Sequence, residues 1–419
     1  MSSTSRSPAV PTTSRPTRAT PRVLIIVGTY LPGTKGGGHI RSIAALAHHL
    51  GDQLDLFVVC RNRDAGDSAP YPDLPTRRWT AQGSAHVMYI APSGFTFRFY
   101  RHILKELDPD VLYLNTPFSI GEAVLPALAA SLRSHPIPLV MAPRGGLDPG
   151  ALSLKRMKKL TFLRILRLSR LPHRMTWQAS TELEASHIVD RIGNVRVLIA
   201  SDFPMPTPTD DAGAIGKVPG QLRILFLSRI SPKKNLPYLL DRVAAVRGHV
   251  ELTIAGPIED PSYWDECKRR IASLPENVRV TYAGSLGHKE IPAALAAHHL
   301  FALPTLGENF GHAIIEALSA GCPAIISDQT PWHQIEEIGA GWTIPLEHAH
   351  AWESALQTCC DMGDAQLKVM RKGAASAIGQ LLDLDGIKEA NLALLAAAPE
   401  QAKIAPRRSA LPNGRNSRR

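Results

Sequence analysis

Short apolar runs, each ending in a loop and followed by a stretch of helical spacing, recur along this chain and restrict it to one broad class of fold. The first, RVLIIVGTY at 22–30, is continuous rather than alternating. That pattern fits a strand covered on both faces. Comparable runs lie at 54–59, 86–90, 111–115, 138–143, 174–180 and 195–200. The segment 201–220 carries four prolines and no periodicity, and the alternation then restarts at 222–229, 251–257, 278–284, 300–305 and 323–328. Strand–helix alternation of this kind builds parallel sheets with crossover helices. The expectation is an α/β protein of two doubly wound, Rossmann-like domains facing across a cleft. The first spans 22–200, a Pro-rich linker spans 201–220, and the second domain with its C-terminal helices spans 221–398.

Charge sorts the ends from the body. The formal net charge is +10, but residues 1–22 hold four Arg and residues 401–419 hold one Lys and five Arg, with no acid in either stretch. Taking those ten cations from 47 leaves 37, against 37 acids. The basic character belongs to two tails, 1–21 and 399–419, expected to be disordered. A neutral body has no general electrostatic reason to bind nucleic acid. At 44% hydrophobic and 20% charged, the 419-residue chain is not a disordered or coiled-coil protein. No apolar run reaches the roughly 18–20 residues of a membrane span, and the N-terminus has no apolar secretion core. Five cysteines without CxxC spacing point to reduced, packed thiols in a cytoplasmic protein.

In open α/β sheets ligands bind beyond the carboxyl ends of the strands, so the post-strand loops carry the chemistry. The richest is LPTLGENFGHAIIEALSAGCPAIISD at 303–328, with Glu308 in the loop, a helix beginning near Gly311, and Glu316 one to two turns inside it. A helix N-terminus offers unpaired N–H groups to a phosphate, and carboxylates accept hydrogen bonds from sugar hydroxyls. The second loop, LFLSRISPKKN at 225–235, sets Arg229 and Lys234 beside another helix start, where they suit a diphosphate; Lys233 competes with Lys234, the other being left to solvent. The third, GTYLPGTKGGGHIRS at 28–42, supplies three consecutive glycines before His39 and Arg41. It is not GxGxxG, and no acid ends the second strand, so a dinucleotide dehydrogenase is poorly supported.

These loops resemble the retaining glycosyltransferases of family 4, also called group 1, which have the GT-B fold. The resemblance covers roughly 22–345 and rests on SRISPKKN, ENFGHAIIEALSAGCPAIISD, the GGG loop and APRGGLDPGAL at 142–152. It implies that Glu316 holds the nucleotide ribose and that Glu308 faces the donor sugar with the backbone of Asn309, Phe310 and Gly311. It also implies that Arg229 and Lys234 neutralise the diphosphate, while Gly37 and Gly38 close over it. Two positions depart from the family pattern: Ser228 stands where many members have glycine before the Arg, and Asn115 where many have a histidine near the end of the fourth strand. His39, Asn115 and Arg144 are therefore the acceptor-side candidates.

The expected activity is transfer of a hexose-type unit, with retention, from a nucleoside diphosphate sugar to a saccharide or lipid-linked acceptor, with no cofactor and no required metal. A nucleotide-sugar epimerase or sucrose-type synthase on the same fold is the enzymatic alternative, and an inactive paralogue serving as an assembly partner is the non-enzymatic one. The stretch 155–174 has eight Lys or Arg and no acid. Its apolar residues are only partly sorted to one face, which leaves weak docking to anionic lipid, at the inner face of a membrane, level with a solvated face. The pairs His48–His49 and His298–His299 lack metal-ligand spacing and are expected to cap helices at the surface.

Overall fold

The computed structural model describes residues 20–153, 156–205 and 215–396. The basic tails and the middle of the Pro-rich segment lie outside these. The first sheet contains β1 (Arg22–Ile26), β2 (Asp55–Arg61), β3 (Trp79–Gln82), β4 (Ala85–Ile90), β5 (Val111–Asn115), β6 (Leu139–Ala142), β7 (Met175–Ala179) and β8 (Arg196–Ile199), in the order β3-β4-β2-β1-β5-β6-β7-β8. Only β3 runs antiparallel, in a hairpin with β4 that the periodicity did not announce. The connecting helices are α1 (Gly38–Leu50), α2 (Phe97–Leu107), α3 (Leu125–Ser131), α4 (Pro149–Ser153), α5 (Arg156–Leu168) and α6 (Glu182–Ile192).

The second sheet contains β9 (Gln221–Leu227), β10 (His249–Ala255), β11 (Val278–Gly284), β12 (Leu300–Leu303), β13 (Ala324–Ile326) and β14 (Gly341–Thr343), ordered β11-β10-β9-β12-β13-β14. Its pairs are all parallel. Its helices are α7 (Leu236–Val243), α8 (Pro261–Ala272), α9 (Ile291–Ala296), α10 (His312–Ser319), α11 (Ala349–Asp361) and α12 (Asp364–Leu381), and α13 (Leu384–Ala396) ends the described chain.

The continuous apolar runs follow from burial on both faces. Leu24 and Ile26 enter one core cluster of the first sheet, and Val23, Ile25 and Val27 enter the opposite one. In each domain the first strand lies inside its sheet, β1 between β2 and β5 and β9 between β10 and β12. Strand order reverses there, so the loops after β1 and β9 open at the switch points where ligands collect.

Three sequence expectations change. The last helix does not stay with 221–398: Leu394 and Leu395 of α13 bury themselves in the cluster that holds Val23 and Ile25, and Asn391 donates to Ser201 O at 2.9 Å. The chain thus recrosses to cover the first sheet beside α1. The Pro-rich segment is packed at both described ends. Asp202 and Phe203 are buried, and Lys217 Nζ donates to Cys360 O at 2.8 Å on the second domain. Finally, His299 is no surface cap. It is 3% exposed, with Nδ1 accepting from Arg223 N at 3.0 Å and Nε2 facing Gly216 O at 3.2 Å. All five cysteines are free and buried.

Candidate active site

The loop after β9 is shaped by its neighbours. Gly256 has φ 139°, and a Cβ there would lie 2.0 Å from Ser228 O, so only glycine lets the Ser228–Arg229 backbone pass. A short turn, Pro232–Lys234, follows, and Asn235 takes a left-handed φ of 55° before α7. Thr305 Oγ1 and Leu306 N both donate to Lys233 O, at 3.2 and 2.8 Å. This stitches the Arg229–Lys234 loop to the loop carrying Glu308. Lys234 is 8% exposed and ion-paired to Glu308. Burial pulls the Lys234 ammonium below its usual range. Burial would raise the Glu308 carboxyl, but the Lys234 charge prevails and holds it low. The ion pair is largely buried, yet both residues border the interdomain cavity.

Arg229 is looser. It meets Glu259 at 2.9 and 3.0 Å, with both side chains about two-fifths exposed. Such a solvated pair is weak, so the guanidinium can turn to a ligand. Neither Lys233 nor Lys234 is left to solvent, contrary to expectation: Lys233 Nζ bridges to Asp148 of the first domain at 2.6 Å.

Helix α10 starts at His312 from Gly311, whose φ of 76° is left-handed. Phe310 is buried and packs its ring against Trp332 and His312, which fixes the backbone of 309–311 at the helix mouth. Glu316 is buried one turn in and is held by Arg41 of α1. The carboxylate expected to face a ribose thus has a protein partner across the cleft. Asn309 Nδ2 likewise donates across it, to Glu184 Oε1 at 2.8 Å, and Glu184 also accepts from Gly145 N and Ser180 N, each at 2.8 Å.

From the first domain, the glycine loop reaches over. A Cβ on Gly37 would lie 3.4 Å from Arg229 Nε, and one on Gly38 3.4 Å from His312 Cδ2. His39 shares a hydrogen bond with Thr29 Oγ1 at 3.0 Å. Burial first, then the Arg144 and Arg229 charges, push its pKa down to about 4. Asn115 donates to Ile26 O at 3.3 Å and accepts from Arg144 Nε at 3.3 Å. Arg144, at φ 54°, is ion-paired to Asp202 and donates to Tyr113 Oη at 2.5 Å. Asp202 in turn accepts from Ser42 Oγ at 2.7 Å, and Ser42 Oγ is 2.9 Å from His312 Nε2. Arg144 is committed to this interdomain network rather than free in an acceptor cleft.

Between the domains lies a cavity of about 440 Å³, bordered by Gly37, Arg41, Arg229, Lys234, Glu308 and the start of α10. A second, of about 460 Å³, opens beside it against His39, Asn115, Arg61 and Glu122. Every residue assigned to the donor from sequence lies on or beside the first. His39 lines both cavities, Asn115 the second and Arg144 the first. Sequence reasoning missed Asp202, Glu184 and Ser42. Only His312, a polar residue opening the mostly apolar α10, hinted at their network.

Residues 221–361 match the family model described as "Glycosyl transferases group 1". The phosphatidyl-myo-inositol mannosyltransferase of Mycobacterium leprae is 26% identical over 167 residues, 38% of this chain and 43% of that protein. The O-antigen chain mannosyltransferase B of Escherichia coli is 26% identical over 149 residues, 34% of this chain and 38% of that protein. The chain thus spans less than half the length of these curated relatives. Solved structures match more completely. Sucrose-phosphate synthase from Thermosynechococcus elongatus superposes with a TM-score of 0.66 at 16% identity, covering 90% of this chain and all of that one. Anabaena HepE, solved with UDP and glucose, gives 0.65 at 19% identity, covering 90% of this chain and 99% of that one. The two-sheet architecture is the GT-B fold.

Proposed function

We propose that this chain, whose second domain matches the group 1 glycosyltransferases, transfers a hexose-type unit from a nucleoside diphosphate sugar to a saccharide or glycolipid acceptor in polysaccharide or glycoconjugate synthesis. One observation carries the reading. Arg41 and the N-terminus of α1 from the first domain, and Arg229, Lys234, Glu308 and the N-terminus of α10 from the second, converge on a single cavity between the sheets, with Glu316 beside it on Arg41. Arg229, Lys234 and the Gly37–Gly38 turn would take the diphosphate, Glu308 and the 309–311 backbone the sugar, and Glu316 the ribose, sharing its carboxylate with Arg41 or displacing it.

The chemistry follows from the charges. As the glycosidic bond breaks, negative charge grows on the leaving diphosphate, and fixed cations stabilise it without reorganising. Two such cations suffice without a required metal, so chelation with EDTA is expected to leave turnover intact. The retaining course of family 4 is our reading too: with Lys234 holding Glu308, the departing phosphate itself deprotonates the acceptor on the same face. His39, held neutral, and Asn115 border the cavity where that acceptor would lie. A cytoplasmic site is expected, and among the described residues no helix is long and apolar enough to cross a membrane. For a lipid-linked acceptor, α5 would rest on an anionic lipid surface. Its Arg156, Lys158 and Arg164 are exposed, as are Met157, Ile165 and Leu168.

The test is a melting-temperature screen against UDP, GDP, ADP and their sugar conjugates, followed by product analysis. A ligand that binds only the folded state raises its melting point. One nucleoside diphosphate should stabilise the protein, and its sugar conjugate should be slowly hydrolysed without acceptor. Change of the donor sugar itself would identify an epimerase. No shift with any nucleotide would leave only the assembly-partner reading.

A further inference from the structure

The glycine loop is held in shape by a group outside it. Asp64, in the loop after β2, is 7% exposed. Its Oδ2 accepts from Thr34 N at 2.6 Å and Lys35 N at 3.0 Å, and its Oδ1 from Ala65 N at 2.8 Å. Lys35 Nζ reaches Asp67 Oδ1 at 2.6 Å, tying the same segment down a second time. The loop lies flat on these groups: a Cβ on Gly33 would stand 3.0 Å from Asp64 Oδ1, and one on Gly36 2.0 Å from Thr29 Oγ1. The free end of this clamped segment is Gly37, the N-cap of the 13-residue α1, facing Arg229 of the other domain. A helix terminus and a guanidinium from different domains thus point at one space, and Asp64 fixes where the first of them stands.

We propose that Asp64 is a positioning residue for the diphosphate, acting through the Thr34 and Lys35 amides on the Gly36–Gly38 turn. The inference rests on the nucleotide-sugar reading. A carboxylate near an anion site repels the anion unless its charge is satisfied, and here three backbone N–H groups satisfy it. Removing it frees a glycine-rich segment, and a disordered donor array must then be ordered at the expense of binding energy. The effect belongs to the phosphates and not to the nucleoside, which lies by Glu316.

The experiment measures dissociation constants by calorimetry for the diphosphate and monophosphate of whichever base (uracil, guanine or adenine) the parent prefers. The parent should favour the diphosphate. Asp64→Ala should lose about tenfold of that preference, with monophosphate affinity within about twofold of the parent. Asp64→Asn keeps an oxygen acceptor for the Thr34 and Lys35 amides, losing only the contact from Ala65 N, and should retain most of the preference. Asp64→Ser, too short to reach both amides, should behave like Asp64→Ala and replaces it if that variant does not fold. Equal weakening of both nucleotides, or an unchanged preference in Asp64→Ala and Asp64→Ser, overturns the inference. A parent that shows no preference for diphosphate fails earlier, at the nucleotide-sugar reading, and takes the inference with it.

Discussion

Arg229 and Lys234 are five positions apart, yet their surroundings give them different tasks. Lys234 is buried on Glu308 and cannot move without leaving a carboxylate unpaired, whereas Arg229 shares a solvated contact with Glu259. Both face the space assigned to the diphosphate, whose charge is greatest in the transition state. Their loss should therefore lower the rate constant of transfer as well as donor affinity. Arg229→Ala and Lys234→Ala are each expected to reduce turnover at saturating donor by roughly 10²- to 10³-fold. Lys233→Ala, which removes a lysine whose ammonium is already bound to Asp148 at the cavity wall, should be much milder, and single-turnover rates for the three variants provide the check. Full turnover in both Arg229→Ala and Lys234→Ala would mean that this loop does not face the diphosphate. These two residues were legible because they follow a buried strand. The Arg41–Glu316 pair was not, because its members are 275 positions apart and meet only once both domains exist.

Elements were read from the sequence where burial left a pattern and missed where it did not. Strands β1, β5 and β9 are apolar because helices cover both faces. Strand β3 is short and half-exposed at an edge, and β14 has three residues, so neither has a period to detect. Helix α13 was visible as a helix, but its partner was not: the leucines of α13 would suit any apolar face, and the chain's return to the first domain decides which. Helix α5 shows the reverse case, a conspicuous sequence with little packing. Leu163 is its one buried residue among those described, and Ile165 and Leu168 are 65% and 88% exposed. The lipid reading then makes a specific demand. Cosedimentation with vesicles containing phosphatidylglycerol should exceed that with phosphatidylcholine, and should fall when Lys158 and Arg164 are both changed to Glu. Binding to neither vesicle, or equal binding by parent and variant, would return α5 to a solvated face.

Across the whole molecule, several histidines are held neutral by burial, and this links stability to pH. His299 is the clearest. Its Nδ1 accepts from Arg223 N, so Nε2 must carry the proton that faces Gly216 O. A second proton would oppose the Arg223 N–H, with the Lys217, Arg371 and Arg223 charges adding to the penalty. Burial first, then those charges, bring its pKa down to about 4. His39 and His288 are also lowered to about 4, mainly by burial, but both are partly exposed and count for less. The unfolded chain takes up these protons near pH 6.5 and the folded one only near 4. Between those values the unfolded state therefore binds more protons, and stability falls with decreasing pH. Glu308 and Asp202, held low in the folded state, add losses of the same sign at more acid pH. Urea unfolding should show the parent losing on the order of 2 kcal/mol through His299 alone between pH 7 and pH 5. His299→Asn, whose side-chain oxygen can still accept from Arg223 N, should be less stable at pH 7 but show a shallower slope towards acid. A parent whose stability is level from pH 7 to 5, or a variant with the parent's slope, would mean that His299 is solvated enough to titrate as it does in the unfolded chain.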